Sequence, residues 1–181
     1  MVRRLHVISA STRQVSAGRP LARWVTGLAA TRPGVAAELI DLREVGLPLL
    51  DEPELPSGGR YVHASTRAWS ATVDAADAFV LVMPMYNGGY TAPLKNAIDH
   101  LYREWRDKPV GLVSYSAGTS GGAPALEMVR PVLGRVGLRV VTPDMSVPGI
   151  EGHLGPGGRF LATPELTARV TAVLDAVTQR P

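Results

Sequence analysis

Three polar, glycine-bearing loops hold the residue types in this chain that could do chemistry, and each interrupts an apolar run. Ser9, Ser11, Thr12, Arg13 and Ser16 crowd the first, just ahead of a helical pattern. Hydroxyls and unpaired N–H groups at a helix N-terminus form a site for phosphate, and an arginine nearby strengthens it. The stretch is neither G-x-G-x-x-G nor a P-loop with its lysine, so a monophosphate fits it better than a pyrophosphate or a triphosphate. The second loop, PMYNGGY, opens at Pro84 with Met85, Tyr86 and Asn87, an aromatic face and an amide followed by two glycines that let backbone approach a ligand. The third, SYSAGTSGGAP, brings Ser116, Ala117, Gly118 and Gly121, whose backbone N–H groups can read the edge of a flat ring. Each loop alone also has a plainer reading: Ser16 as a helix cap, Tyr86 as a plug on the sheet edge, the third loop as a flexible turn. Together they describe a phosphate socket beside a slot for a planar ring.

The elements that must position these loops follow from periodicity. Short apolar strands are expected at residues 5–9, 35–41, 79–83, 110–114 and 138–141, alternating with helices near 20–30, 62–76, 93–105, 124–136 and 165–178. Five strands alternating with five helices argue for a doubly wound parallel sheet. In such a sheet ligands lie outside the carboxyl ends of the strands, which is where all three loops fall. Pro84 cannot donate to a central ladder and ends the third strand. Leu94, Ala97, Ile98, Leu101 and Trp105 share one helical face, Thr163 and Pro164 start the last helix, and Pro131 should kink the fourth. The Pro- and Gly-rich stretches 48–59 and 148–158 read as surface loops.

Composition narrows the classes further. A chain of 181 residues, 45% hydrophobic and 19% charged, is within the range of one ordinary globular domain, and no apolar run approaches a bilayer span. A soluble, cytoplasmic protein is expected. The absence of cysteine excludes thiolate chemistry and cysteine-bound iron–sulfur or zinc sites. His6, His63, His100 and His153 lack metal-ligand spacing, so no metal is expected. The net charge of +3 is carried mostly by dispersed arginines, with Lys95 and Lys108 the only lysines. No basic stripe interleaved with aromatics points to nucleic acid.

The loop from Ser11 through Thr12, Arg13, Gln14 and Val15 to Ser16 resembles a G-S-x-R-x-x-S phosphate loop, with Ala10 in place of its glycine. Pro84, Tyr86 and Asn87, followed by Leu94, Lys95, Asn96, Ala97, Ile98 and Asp99, resemble P-x-Y-N and L-K-N-A-I-D signatures, and Ser116, Ala117, Gly118 and Gly121 resemble S-A-G-x-x-G. These motifs are similar to those of the NADPH-dependent FMN reductases, also called NAD(P)H quinone or chromate reductases, from the first strand to about Val136. The resemblance implies a flavodoxin-like three-layer sandwich, with a five-stranded parallel sheet in the order 2-1-3-4-5, forming one FMN-binding domain over residues 1–181. It implies FMN as cofactor and NADPH or NADH as donor, with electrons passing to a quinone-like or other acceptor, free flavin included. Ser11, Arg13 and Ser16 would hold the FMN phosphate, with Ser9 and Thr12 in the same loop. Pro84, Met85, Tyr86, Asn87 and the loop of Ser116, Ala117, Gly118 and Gly121 would face the isoalloxazine. The flavin carries the chemistry, so no catalytic side chain is assigned. Met85 stands where the family commonly has a glutamate, which removes a charge near the flavin. Pairing into a homodimer or homotetramer through the 93–105 helix, broadened by Tyr90, Tyr102, Arg103 and Arg106, is implied as well. The rival readings are a pure electron carrier and a flavodoxin-like binding or regulatory module without reductase activity.

Overall fold

A computed structural model describes residues 2–179 of the chain. Its strands are β1 (Arg3–Ser9), β2 (Val35–Asp41), β3 (Ala78–Pro84), β4 (Pro109–Tyr115), β5 (Arg139–Val140) and β6 (Met145–Val147), with the small pair β7 (Leu154–Gly155) and β8 (Arg159–Phe160). The helices are α1 (Gly18–Ala30), α2 (Leu42–Val45), α3 (Ala64–Asp74), α4 (Ala92–Asp99), α5 (Ala123–Arg135) and α6 (Pro164–Thr178). The main sheet runs β2-β1-β3-β4-β5, parallel throughout, and β6 pairs with β4 beyond the end of β5. This is the flavodoxin-like order 2-1-3-4-5, with helices on both faces.

The period-2 alternation of the strands sorts side chains to two cores. Phe79, Leu81 and Met83 of β3 join Trp69 of α3, Leu94 and Ile98 of α4 and Leu126 and Val129 of α5 on one face. Ala78, Val80 and Val82 meet Leu21 and Val25 of α1 and Val170, Val173 and Leu174 of α6 on the other. Being covered twice explains why β3 and β4 read as continuous apolar runs. Thr163 accepts from the Leu166 N–H with Pro164 in the first turn, so α6 starts where its sequence signals it.

Three local expectations need correction. The 93–105 helix ends at Asp99, and Arg103–Trp105 is a separate 3-10 turn. There the Ile98 carbonyl, which would accept from the Tyr102 N–H in a longer helix, instead accepts from the Leu101 N–H at 3.3 Å and the Trp105 indole N–H at 3.2 Å. Leu101 and Trp105 stay buried beside Phe79 and Trp69, so the apolar spacing survives the break. The fifth strand is two short pieces separated at Pro143, not one at 138–141. The stretch 148–158 is not all loop: it contains the first strand of the β7–β8 hairpin and two 3-10 turns.

Candidate functional site

The carboxyl ends of β1, β3 and β4 lie side by side in the sheet, so the three loops that leave them meet at one edge. There, Ser11, Arg13, Ser16, Pro84, Met85, Tyr86, Ser116 and Ala117 line a single cleft of about 200 Å³, joined by Ala17, Tyr115, Ile150 and Glu151.

The first loop is fixed at its root. Ala10 is fully buried, its N–H donates to the Val82 carbonyl at 2.9 Å, and its own carbonyl accepts from the buried Thr91 hydroxyl at 2.8 Å. Thr91 also caps α4 by accepting from the Leu94 N–H at 3.3 Å, so one hydroxyl ties the first loop to the second. Among the described non-glycine residues only Asn87 and Asp107 have positive φ, so alanine at position 10 costs the loop no strain. Beyond Ser11 the loop turns into α1, whose N-cap, Ala17, has no side-chain acceptor and whose first turn has no carboxylate. Ser16 accepts from the Gly18 N–H at 3.2 Å, and Arg13 is exposed with no ion pair among the described residues. The helix end, two serines and an unengaged guanidinium thus converge on one side of the cleft, a donor set suited to a monophosphate.

The second loop is a tight hairpin. Tyr86 and Gly89 exchange backbone hydrogen bonds of 2.9 and 3.0 Å around Asn87 (φ 51°) and Gly88 (φ 82°). Positive φ at both central positions makes this the turn for which Asn-Gly is the preferred pair. The turn presents Tyr86 to the cleft, 40% exposed, with its hydroxyl 3.2 Å from Ser11 Oγ. Met85 is half-buried, and its N–H donates to the Tyr115 carbonyl at 3.1 Å.

The third loop is held from behind by the chain that follows β6. Ser116 N–H donates to the Val147 carbonyl at 3.2 Å, Ile150 N–H donates to the Ser116 carbonyl at 3.1 Å, and the buried Ser114 hydroxyl donates to the Gly121 carbonyl at 2.9 Å. A Cβ on Gly121 would stand 2.8 Å from Pro148 N and 2.9 Å from the Val147 backbone, at φ 59°. Gly121 therefore permits this crossing of two backbones, a packing duty whatever else it does.

The remaining sequence candidates lie off the cleft wall. Ser9 is buried at the end of β1, Asn87 stands exposed at the hairpin tip, and Gly118 accepts from the Ser116 hydroxyl at 3.1 Å. Thr12 points to a neighbouring groove of about 590 Å³, lined also by Leu42, Arg43, Leu47, Pro93 and Asn96. That groove is larger, yet the hydroxyls and helix terminus gather in the smaller cleft.

Tyr115 is the residue that sequence reading missed. It is 5% exposed at the end of β4, with its hydroxyl beside those of Ser11 and Ser16 and over Gly18. Burial pushes its phenol up to about 12, against the opposing pull of hydrogen bonding from Ser16 and Ser11. It opens the third loop as read from sequence, but that loop was read for its small residues and glycines, so the tyrosine side chain drew no role. Thr91 had a signal in the threonine set before Ala92 and Pro93, the pattern of a capped helix start. Ile150 and Glu151 had none, because a contact between distant loops leaves no local pattern.

A planar ring carrying one phosphate matches this cleft: the donors stand at α1, and flat backbone of the second and third loops forms the walls. The enclosed volume is below the roughly 300–1,000 Å³ of closed ligand pockets, so such a ligand would lie along the sheet edge with part of its ring accessible.

Comparison with known proteins bears on which ligand this is. A family model described as NADPH-dependent FMN reductase matches residues 3–151. An NAD(P)H-dependent FMN reductase of Schizosaccharomyces pombe is 37% identical over 161 residues, covering 85% of this chain and 80% of that protein. A probable NADPH:quinone oxidoreductase of Oryza sativa is 34% identical over 134 residues, covering 71% of this chain and 63% of its relative. Among solved structures, the flavoenzyme NAD(P)H:(acceptor) oxidoreductase FerB of Paracoccus denitrificans superposes with a TM-score of 0.79 at 22% identity, over 97% of both chains.

Proposed function

The chain belongs to the NADPH-dependent FMN reductase family, and from that premise we propose that its three-loop cleft is the place where it works as an FMN-dependent NAD(P)H oxidoreductase. The observation that carries this reading is the convergence, in one cleft, of the α1 terminus with Ser11, Arg13 and Ser16 and of the walls made by Met85, Tyr86, Ser116 and Ala117. When bound, FMN supplies the redox chemistry, taking hydride from NADPH or NADH and passing electrons to an acceptor.

The side chains bind, orient and exclude. Ser11, Ser16 and the first turn of α1 would donate to the phosphate while Arg13 would balance its charge. Pro84, Met85 and Tyr86 on one wall and Ser116 and Ala117 on the other would flank the ring, with Asn87 and Gly118 shaping the turns behind them. Ser9 ends β1 just before the phosphate loop, Thr12 lies on the loop's far side, and Gly121 keeps the third loop close to the sheet. Tyr115 would close the floor between phosphate and ring, and its buried phenol stays protonated at neutral pH. With Met85 the ring edge carries no side-chain charge from that position, which suits a neutral aromatic acceptor such as a quinone.

One domain spanning residues 1–181, a cytoplasmic location where nicotinamide nucleotides are supplied, and assembly as a homodimer or homotetramer belong to the same proposal. The exposed Leu49, Leu55 and Val62 and the half-buried Tyr90 and Tyr102 near α4 support assembly. Light scattering of the FMN-loaded protein tests it, and a fully active monomer would remove it.

Phosphate recognition tests the cleft. Arg13→Ala and Ser16→Ala should each weaken FMN binding by about 1–3 kcal/mol, the value of a charge-assisted hydrogen bond. FAD should bind less well than FMN, since the loop offers one phosphate socket. Wild-type affinity in both variants, or tighter binding of FAD, would take the phosphate away from this loop.

A further inference from the structure

We propose that Arg19 is a positioning residue for the phosphate loop: anchored on Asp41 at the end of β2, it holds the crest of the loop from below so that Ser11, Arg13 and Ser16 face one phosphate. The inference rests on the cleft being the FMN phosphate site. Arg19 stands in the first turn of α1, and its Nε donates to Asp41 Oδ2. Its two terminal nitrogens point the other way, Nη1 to the Gln14 carbonyl at 3.3 Å and Nη2 to the Arg13 carbonyl at 3.4 Å. Asp41 is held in turn, its Oδ1 accepting from the Arg43 N–H at 3.0 Å as the cap of α2.

Two features make this a device for the loop rather than an ordinary surface ion pair. The side chains are 17% and 4% exposed, so solvent screens the pair little and the guanidinium has little freedom to swing away. Across residues 12–15, moreover, the hydrogen bonds to the loop among the described residues come from Arg19 alone. Among the described residues the loop is otherwise tied only at its ends, at Ala10 and through the hydroxyls of Ser11 and Ser16. Each crest bond is long, so neither alone would fix the loop; the planar fork makes both at once while its Nε–H is fixed on a carboxylate. The charge of Arg19 is spent on Asp41, which leaves Arg13 as the guanidinium that answers the phosphate.

The test separates phosphate recognition from folding. Protein loaded with FMN, or with riboflavin, which has the ring and no phosphate, is diluted and flavin release is followed by fluorescence. Variants are Arg19→Lys, whose compact ammonium lacks the planar fork that reaches Asp41 and both crest carbonyls at once, and the paired Arg19→Gln/Asp41→Asn, which leaves no unpaired buried carboxylate. The expected result is FMN binding weakened about tenfold or more in both, with riboflavin binding unchanged within about twofold. Arg13→Ala, run alongside, should give the same pattern. Equal wild-type affinity for the two flavins would overturn the phosphate reading and this inference with it. A wild-type preference for FMN that Arg13→Ala abolishes but both Arg19 variants keep would overturn the positioning role alone. Parallel loss of both flavins would overturn it too, making Arg19 a support of the fold.

Discussion

Gly18→Ala adds one methyl group where α1, the phosphate loop and β4 touch, and its cost can be worked from distances. A Cβ at Gly18 would lie 2.1 Å from the Tyr115 hydroxyl, 2.4 Å from Cζ and 2.5 Å from Cε1. Ordinary contact begins near 3.5 Å, so the ring must retreat by more than 1 Å. Tyr115 cannot swing out, being buried against Leu21, Val25, Met145 and Val147 in the α1/α6 core, so either its ring displaces that packing or α1 shifts and takes the phosphate loop with it. Overpacking of this kind costs about 1–3 kcal/mol, and the upper end is expected because the clash is with a rigid ring. For a domain of this size that corresponds to a midpoint lower by roughly 6–12 °C. Thermal unfolding followed by circular dichroism reads the loss, and flavin titration of the same sample should show weaker FMN binding. In a Tyr115→Ala background the ring is gone and the same methyl should cost about nothing, which makes the pair strongly coupled in a double-mutant cycle. A Gly18→Ala protein within about 0.5 kcal/mol of wild type, or equal costs in both backgrounds, would refute the account of this contact.

Alkaline pH should find the same tyrosine. Its folded-state pKa is raised by burial to about 12 from 10, so its contribution to stability is complete below pH 10 and is lost as pH rises through about 12. Two units correspond to about 2–3 kcal/mol. Tyr61 and Tyr90 are raised as well, each by burial first, so the quantity to measure is the difference between wild type and Tyr115→Phe in chemical denaturation from pH 9 to 12; superimposable profiles would reject the assignment. Thr91→Val keeps the shape and removes the hydroxyl, leaving the Ala10 carbonyl without its buried donor and α4 without its cap. A loss of about 2–3 kcal/mol is expected, with Thr91→Ser close to wild type. A larger loss in Thr91→Ser than in Thr91→Val would mean that the methyl, not the hydroxyl, does the work.

What the sequence disclosed follows from how local each signal is. The strands flanking the cleft were legible because burial on both faces writes an unbroken apolar run, as in β3, and because Pro84 ends it. The hairpin of Tyr86 to Gly89 was legible in part, since Asn-Gly announces its own backbone. The end of α4 was not: Leu101 and Trp105 fill the core from a 3-10 turn as well as they would from a helix, so periodicity could not see the indole N–H capping Ile98. The fifth strand was blurred by Pro143, which splits it into β5 and β6. Gly18 and Tyr115 lie 97 residues apart, and Arg19 and Asp41 lie 22 apart. Their meaning exists only once β1, β2 and β4 stand in order, so composition and motif could name the phosphate loop but not what holds it.

The central claim is that the three-loop cleft binds FMN and that bound FMN is reduced by a nicotinamide nucleotide. The most direct measurement is the visible absorption spectrum of the purified, FMN-loaded protein before and after anaerobic addition of NADPH, then NADH, beside Arg13→Ala at the same total flavin. The account predicts that wild-type protein retains FMN through gel filtration, loses its oxidised-flavin absorption on addition of at least one donor and regains it when a quinone is admitted, while Arg13→Ala elutes with much less flavin. A protein that emerges colourless after loading, or one whose bound flavin keeps its absorption with both donors, would contradict it.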